Sequence, residues 1–379
     1  GTKVLKLSIG APDLPAPELF FSSISSYPNK VMGYANSQGL KEMLQSQQKY
    51  YSKNNISFDL SEIFITSGAV EGIYFSLMSI CDTGDNIIML EPYYTNYGLI
   101  TDVLGIDIHP VTTSIETNYS IPSLDILEKA VDGKTKAILI SNPCNPTGRV
   151  YTKEELESIV QLAKKHNLVI ISDEVYREFV FIDRKFISLY DFEEIREQLI
   201  LLDSASKKYA VCAARIGSVA TKNKEIASSV LKLCQMRLSA PTLEQYAVSS
   251  LINLDDSYFK NVSETYINRK NALENSLSKL PDIRFSTPQG AFYTLVTLPV
   301  EDADDFVVWT LTNFSDNNQT VLVTPSQDFY CTEGLGKNEI RISYCVNENV
   351  LVRSVELLDK ALTVYPKSKR NRPEAHSCT

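Results

Sequence analysis

Histidine is scarce in this 379-residue chain, present only as His109, His166 and His376. His166 ends an amphipathic helical pattern and His376 lies in a polar tail. A Ser-His-Asp triad or a histidine-rich metal site has little to work with, and no metal site is expected. The seven cysteines (Cys81, Cys144, Cys212, Cys234, Cys331, Cys345 and Cys378) are odd in number and form no Cys-x-x-Cys pair. They argue against a disulfide framework and read as reduced core residues of a cytoplasmic protein. Basic residues are outnumbered: 37 Lys and Arg against 46 Asp and Glu leave a formal net charge of -9. That is the wrong sign for a nucleic-acid partner. No apolar run approaches roughly 18 residues, so no membrane-spanning helix is expected. Internal repeats and low-complexity segments are absent too. The start, Gly1-Thr2-Lys3-Val4-Leu5, lacks a signal-peptide layout and enters strand-like sequence abruptly, as though an N-terminal piece were missing.

What remains is an ordinary soluble composition, 44% apolar and 22% charged, long enough for two domains or one large α/β domain with an appendage. From about residue 60 to 220, short and nearly continuous apolar strands alternate with helical patterns. That is the signature of a parallel sheet covered by helices on both faces. Strands are expected at Ile63–Thr66, Asn86–Leu90, Ala137–Ser141, Leu168–Ser172 and Leu199–Leu202, and helices at Ser67–Cys81, Ser123–Val131 and after the capping box Thr152-Lys153-Glu154-Glu155. After residue 255 the character changes to a long polar helix, Asp256–Leu280, followed by mixed strands and helices of a smaller α+β domain. The expected limits are 1–45 for an N-terminal segment joining the small domain, 46–255 for the large domain and 256–365 for the small one. Residues 366–379 form a polar tail expected to be disordered.

Ligands in such sheets sit at the carboxyl ends of the strands. Ser67, Tyr94, Asn145, Asp173 and Lys207 all follow a strand exit. The passage Asp203-Ser204-Ala205-Ser206-Lys207-Lys208 brings hydroxyls and a lysine into one turn, with Arg215 a short step beyond. That set suits a Schiff base between the amine and an aldehyde cofactor, with Ser204 and Arg215 on the cofactor's phosphate. Gly68 before Ala69 and Val70 adds a helix N-terminus whose unpaired amides favour an anion. Three tyrosines, Tyr93, Tyr94 and Tyr97, offer a stacking surface, and the two Asn-Pro pairs around Asn145 aim an amide. Gly10 permits a close approach of the backbone. Each feature also has a plain structural explanation: a solvated Lys-Lys pair, a helix cap at Asp173, core packing at Tyr176.

Taken in order and spacing, these motifs resemble the class I/II aminotransferases of the pyridoxal-phosphate fold-type I group, the relatives of aspartate aminotransferase, from about Leu5 to Leu362. The resemblance implies a mostly parallel, seven-stranded large-domain sheet, pyridoxal 5'-phosphate as cofactor, and amino acid and 2-oxo acid substrates. It implies that Lys207 bonds the cofactor, that Ser204, Arg215 and the Ala69 and Val70 amides hold its phosphate, and that Tyr34 reaches the phosphate from the partner subunit of a homodimer. Tyr94 would stack on the ring, Asn145 and Tyr176 would donate to its phenolic oxygen, and Asp173 would pair with its nitrogen. Arg341 would grip the substrate α-carboxylate beside Gly10. Arg237 stands near the position where dicarboxylate-specific relatives carry a second arginine, and reads equally as a structural arginine. Transamination is the leading expectation. A β-eliminating lyase or a cyclase is the alternative, and a non-catalytic effector-binding version of the fold a remote one, disfavoured by the intact set of Lys207, Asp173 and Arg341.

Overall fold

A computed structural model describes residues 1–371. In chain order the first strands are β1 (Lys3–Lys6), β2 (Ile63–Thr66), β3 (Asn86–Glu91), β4 (Asp107–Thr112), β5 (Thr135–Ser141), β6 (Val169–Asp173), β7 (Leu199–Ser204) and β8 (Gly217–Thr221). They are followed by β9 (Arg284–Phe285), β10 (Tyr293–Thr297), β11 (Gln319–Leu322), β12 (Thr324–Pro325) and β13 (Glu339–Ser343). The large sheet has seven strands in the order β2-β8-β7-β6-β5-β3-β4. It is the expected mostly parallel α/β sheet, and β8 alone runs against its neighbours.

The continuous apolar runs are explained by burial on both faces. Along β3, β5 and β6 successive residues enter opposite cores: Ile88, Leu90, Ile138, Ile140 and Ile170 on one side, Ile87, Met89, Ala137, Leu139 and Ile171 on the other. Two strands lacked a sequence signal. The edge strand β4 is half exposed and carries His109 and Pro110, which an edge tolerates. The second, β8, is a short run of small residues. The segment from β7 to β8 folds back at the site and crosses neither face, so β8 returns antiparallel.

The rest of the chain builds a four-stranded sheet, β12-β13-β10-β9, and the parallel pair β1-β11. The helices Asp256–Leu277, Ala303–Asn313 and Glu348–Val364 add Leu273, Phe306 and Leu358 to a third core shared with Leu5 and Leu7 of the N-terminal segment. The expected frayed tail needs correction over its first residues. Ser368 is buried, and Arg370 ties down the segment with hydrogen bonds of 2.8 Å to Asp282 and 2.8 Å to Asp359. The remainder of the tail expectation, and His376 and Cys378, lie outside the described residues.

Candidate active site

The carboxyl ends of β2, β5, β6 and β7 open into one cavity. Ala69, Val70, Tyr94, Asn145, Asp173, Tyr176, Ser204, Lys207 and Arg215 all line it. At one end stands the N-terminus of the helix Ala69–Ile80, whose first amides have no intrahelical partner. Gly68 caps it with φ 81°, and any Cβ there would overlap the Arg215 guanidinium. Arg215, itself in left-handed backbone, is steadied by the carbonyls of Cys212 at 3.0 Å and Ser67 at 3.3 Å. The Ser204 and Ser206 hydroxyls lie 2.9 Å apart beside it. Amides, hydroxyls and a guanidinium meet here, which is the donor set for a dianion.

Asp173 lies buried in the same cavity. The Tyr97 hydroxyl donates to its Oδ2 at 2.7 Å and the Val175 amide to its Oδ1 at 3.3 Å. Burial pushes the carboxyl up to about 6, against the pull of the Tyr97 hydrogen bond.

The adjacent lysines part company. Lys208 is buried, ion-paired with Asp203, and its ammonium sits 3.4 Å from the centre of the Tyr50 ring. Asp203 also accepts from Gln47 at 2.8 Å. Lys207 faces the cavity and donates to the Gly10 carbonyl at 2.6 Å. One amine is spent on a buried ion pair and the other is available.

Arg341 is sandwiched between the Tyr293 ring at 4.5 Å and the Phe329 ring at 5.0 Å. It donates to Asn145 Oδ1 at 3.0 Å and to the Ser8 carbonyl at 2.9 Å. Its Nε is buried without a protein partner. Because Asn145 spends its carbonyl on Arg341, its amide N–H groups are left for another acceptor.

Gly10 and Arg341 stand behind the lining, bonded to Lys207 and Asn145, and two further expected residues are not brought to the cavity. Tyr34 is 82% exposed and lines a separate hollow with Met32 and Thr242. Arg237 is engaged within its own chain: its terminal nitrogens hold Glu71 at 2.6 Å and the carbonyls of Ser37 at 3.1 Å and Ile65 at 3.2 Å, and its Nε has no protein partner. Three residues lining the cavity take places that the sequence did not indicate. Tyr97 holds Asp173, and its position three residues after Tyr94 on one helical face was the available signal. Tyr293 meets Tyr176, Arg341 and the Gly10 backbone, and nothing local in sequence marks it. Cys212 lines the cavity instead of the core.

A family model described as aminotransferase class I and II matches residues 2–358. The chain belongs to this family. The aminotransferase is 30% identical to an aspartate aminotransferase of Bacillus sp. (strain YM-2), over 95% of this chain and 92% of that one. It is 33% identical to the (5-formylfuran-3-yl)methyl phosphate transaminase of Methanocaldococcus jannaschii, over 95% and 93%. Its fold superposes on the crystal structure of the Thermotoga maritima aspartate aminotransferase with a TM-score of 0.86 at 28% identity, covering 95% and 92% of the two chains. The aminotransferase depends on pyridoxal 5'-phosphate, the cofactor of its family. The cavity fits that group on its own terms, with a dianion cradle at Gly68, a buried carboxyl at Asp173 and an uncommitted amine at Lys207. Among the described residues no helix is long and apolar enough to cross a membrane.

Proposed function

We propose that this enzyme moves the amino group of an L-amino acid to a 2-oxo acid with Lys207, Asp173 and Tyr176 as its catalytic residues. The observation that carries the reading is the division of labour between the lysines: Lys208 is locked to Asp203, while Lys207 shares the cavity with Asp173. The cofactor supplies an aldehyde for the amine and a ring that takes up the electron pair left when Cα loses its proton. Everything else is the work of the chain. Ser204, Arg215 and the Ala69 and Val70 amides hold the phosphate, and Tyr94 covers the ring. Asp173 keeps the ring nitrogen protonated, with Tyr97 fixing the carboxylate. Asn145 and Tyr176 donate to the phenolic oxygen. Arg341, with the backbone at Gly10, takes the α-carboxylate two-pronged and so sets which Cα bond stands across the ring. Lys207 would serve as the base that takes the proton from Cα.

The same reading places two copies of the chain together, with Tyr34 of each reaching its partner's phosphate end. Its support is the run Val31, Met32 and Tyr34, all exposed, and the absence of Tyr34 from its own cavity. It divides the subunit into 46–255 for the cofactor and 1–45 with 256–365 for the carboxylate grip, supported by the pairing of β1 with β11. A cytoplasmic setting is supported by the six described cysteines, which are free thiols.

The test is a half-reaction screen. Holoenzyme mixed with single amino acids is expected to convert stoichiometrically to the pyridoxamine form with one or a few of them. Ammonia release without that form would move the enzyme to the eliminating lyases. Lys207→Ala is expected to abolish the cofactor's visible band and turnover, while Lys208→Ala keeps the band. The reverse pattern would overturn the lysine assignment.

A further inference from the structure

Antiparallel pairing puts Tyr293 opposite Ser343 and Leu295 opposite Arg341. Tyr293 and Arg341 are therefore diagonal neighbours on one face of the sheet, and the guanidinium lies 4.5 Å from the centre of the Tyr293 ring. The far end of Tyr293 reaches into the cavity. Its hydroxyl lies 2.8 Å from that of Tyr176, and both rings are buried. Gly10 closes the third side: a Cβ there would overlap the Tyr293 hydroxyl. One side chain thus touches the phenol assigned to the cofactor, the arginine assigned to the substrate, and the backbone whose carbonyl receives Lys207.

Each hydroxyl owns one proton. If Tyr176 gave its proton to Tyr293, it would have none to offer an oxygen in the cavity. If Tyr293 gives its proton to Tyr176, the Tyr176 proton is free to point inward, and the chain of two donors strengthens the inner bond. No other hydrogen bond involves either hydroxyl among the described residues. Burial and the neighbouring Tyr293 oxygen hold the Tyr176 phenol well above its ordinary range, so it keeps its proton. Cys345 and Tyr94 push the same way, and Asp173, Lys207 and Arg215 line the same cavity.

We propose that Tyr293 is a positioning residue with two separable parts: its hydroxyl donates to Tyr176 and directs that residue's proton toward the cofactor's phenolic oxygen, and its ring fixes the plane of Arg341. The proposal rests on the assignment of Tyr176 and Arg341 made above. A donor facing the phenolic oxygen draws charge from it and weakens its hold on the proton of the bonded Lys207 nitrogen. Loss of that donor therefore raises the pH at which the visible band of the loaded enzyme titrates.

The experiment compares wild type, Tyr293→Phe, Tyr293→Leu, Tyr176→Phe and the Tyr176→Phe/Tyr293→Phe double variant. Each is loaded with cofactor, its band is titrated by pH, and KM is measured for several amino donors. Tyr293→Phe is expected to move the midpoint up by roughly a few tenths of a pH unit, the cooperative share of the inner bond, less than Tyr176→Phe does, with KM unchanged. Tyr293→Leu is expected to add a several-fold rise in KM common to all donors, because the ring is gone. In the double variant the midpoint is expected to match Tyr176→Phe alone, since Tyr293 acts through Tyr176. An unchanged or lowered midpoint in Tyr293→Phe, or additive shifts in the double variant, would overturn the hydroxyl assignment. An unmoved KM in Tyr293→Leu would overturn the ring assignment. A wild type without a titrating band would count against the Lys207 reading, which separates the two failures.

Discussion

Asp173 carries a cost that only the bound cofactor relieves. Its folded value of about 6 lies above its ordinary 3.8 because burial disfavours the charge. The native state therefore holds this proton more tightly than the unfolded chain. This group's contribution to the stability of the cofactor-free protein is greatest below pH 4 and falls by roughly 3 kcal/mol as pH rises through about 6. Cofactor-free Asp173→Asn is thus expected to melt above wild type at pH 8 and level with it near pH 4, while Tyr97 still donates to the amide oxygen. Equal melting at pH 8 would mean that the buried carboxylate is not strained. In the loaded enzyme the same substitution is expected to cut the rate severely with the cofactor still bound, a loss read directly from single-turnover traces. Strain of this kind concentrates at functional sites. The sequence could name Asp173 as a candidate because a carboxylate after a buried strand has few ordinary reasons to be there. It could not rank Arg237, because the Glu71 partner that holds it is 166 residues away.

Among the elements, the helix Ala69–Ile80 does the most for the phosphate end, and Gly68 is its critical point. A side chain there meets a backbone φ of 81° and the Arg215 guanidinium together. Gly68→Ala is expected to cost about 1 kcal/mol or more in backbone strain and to raise the dissociation constant of pyridoxal phosphate about tenfold, a 1.4 kcal/mol loss. Titrating apoenzyme with cofactor measures it, and circular dichroism should show the helix intact. An unchanged affinity would mean that Arg215 contributes little to the phosphate. Elements buried on both faces were legible in the sequence because their apolar runs are continuous. The edge strand β4 and the returning strand β8 were not, since one is half wet and the other is built of small residues. The site residues at strand exits were legible for the same topological reason. Tyr293 was not, because a tyrosine that starts a buried strand looks like core until the partner strand brings Arg341 alongside.

Across the whole molecule, the large sheet is joined to the loop between β12 and β13 by a carboxylate that has no ion-pair partner among the described residues. Glu91, at the end of β3, is fully buried and accepts from the Thr112 hydroxyl at 2.7 Å and from the Cys331 and Thr332 amides at 2.8 and 3.0 Å. Those amides belong to the loop that carries Phe329 beneath Arg341, and the Phe329 carbonyl itself accepts from the Tyr93 amide at 2.9 Å. Glu91→Ala leaves the Cys331 and Thr332 amides and the Thr112 hydroxyl without their acceptor. It is expected to lower stability by about 2–3 kcal/mol and to raise KM for all amino donors together, with cofactor affinity unchanged. Urea unfolding and KM measurements check both, and a fall in cofactor affinity would show instead that the large sheet had been disturbed.

The N-terminal segment has a consequence for the order in which the enzyme is made. Lys207 is held by the Gly10 carbonyl, 197 residues distant, and Arg341 by that of Ser8, 333 residues distant. The strand just before those two residues, β1, pairs with β11, which begins at Gln319. On the ribosome the seven strands of the large sheet emerge by Thr221, so the cofactor cleft can assemble while translation continues. The clamp on the amine and the substrate grip must wait for most of the remaining message. Until then Lys3–Lys6 lack their partner strand, and the large sheet is complete before the carbonyls of Ser8 and Gly10 can be fixed beside it.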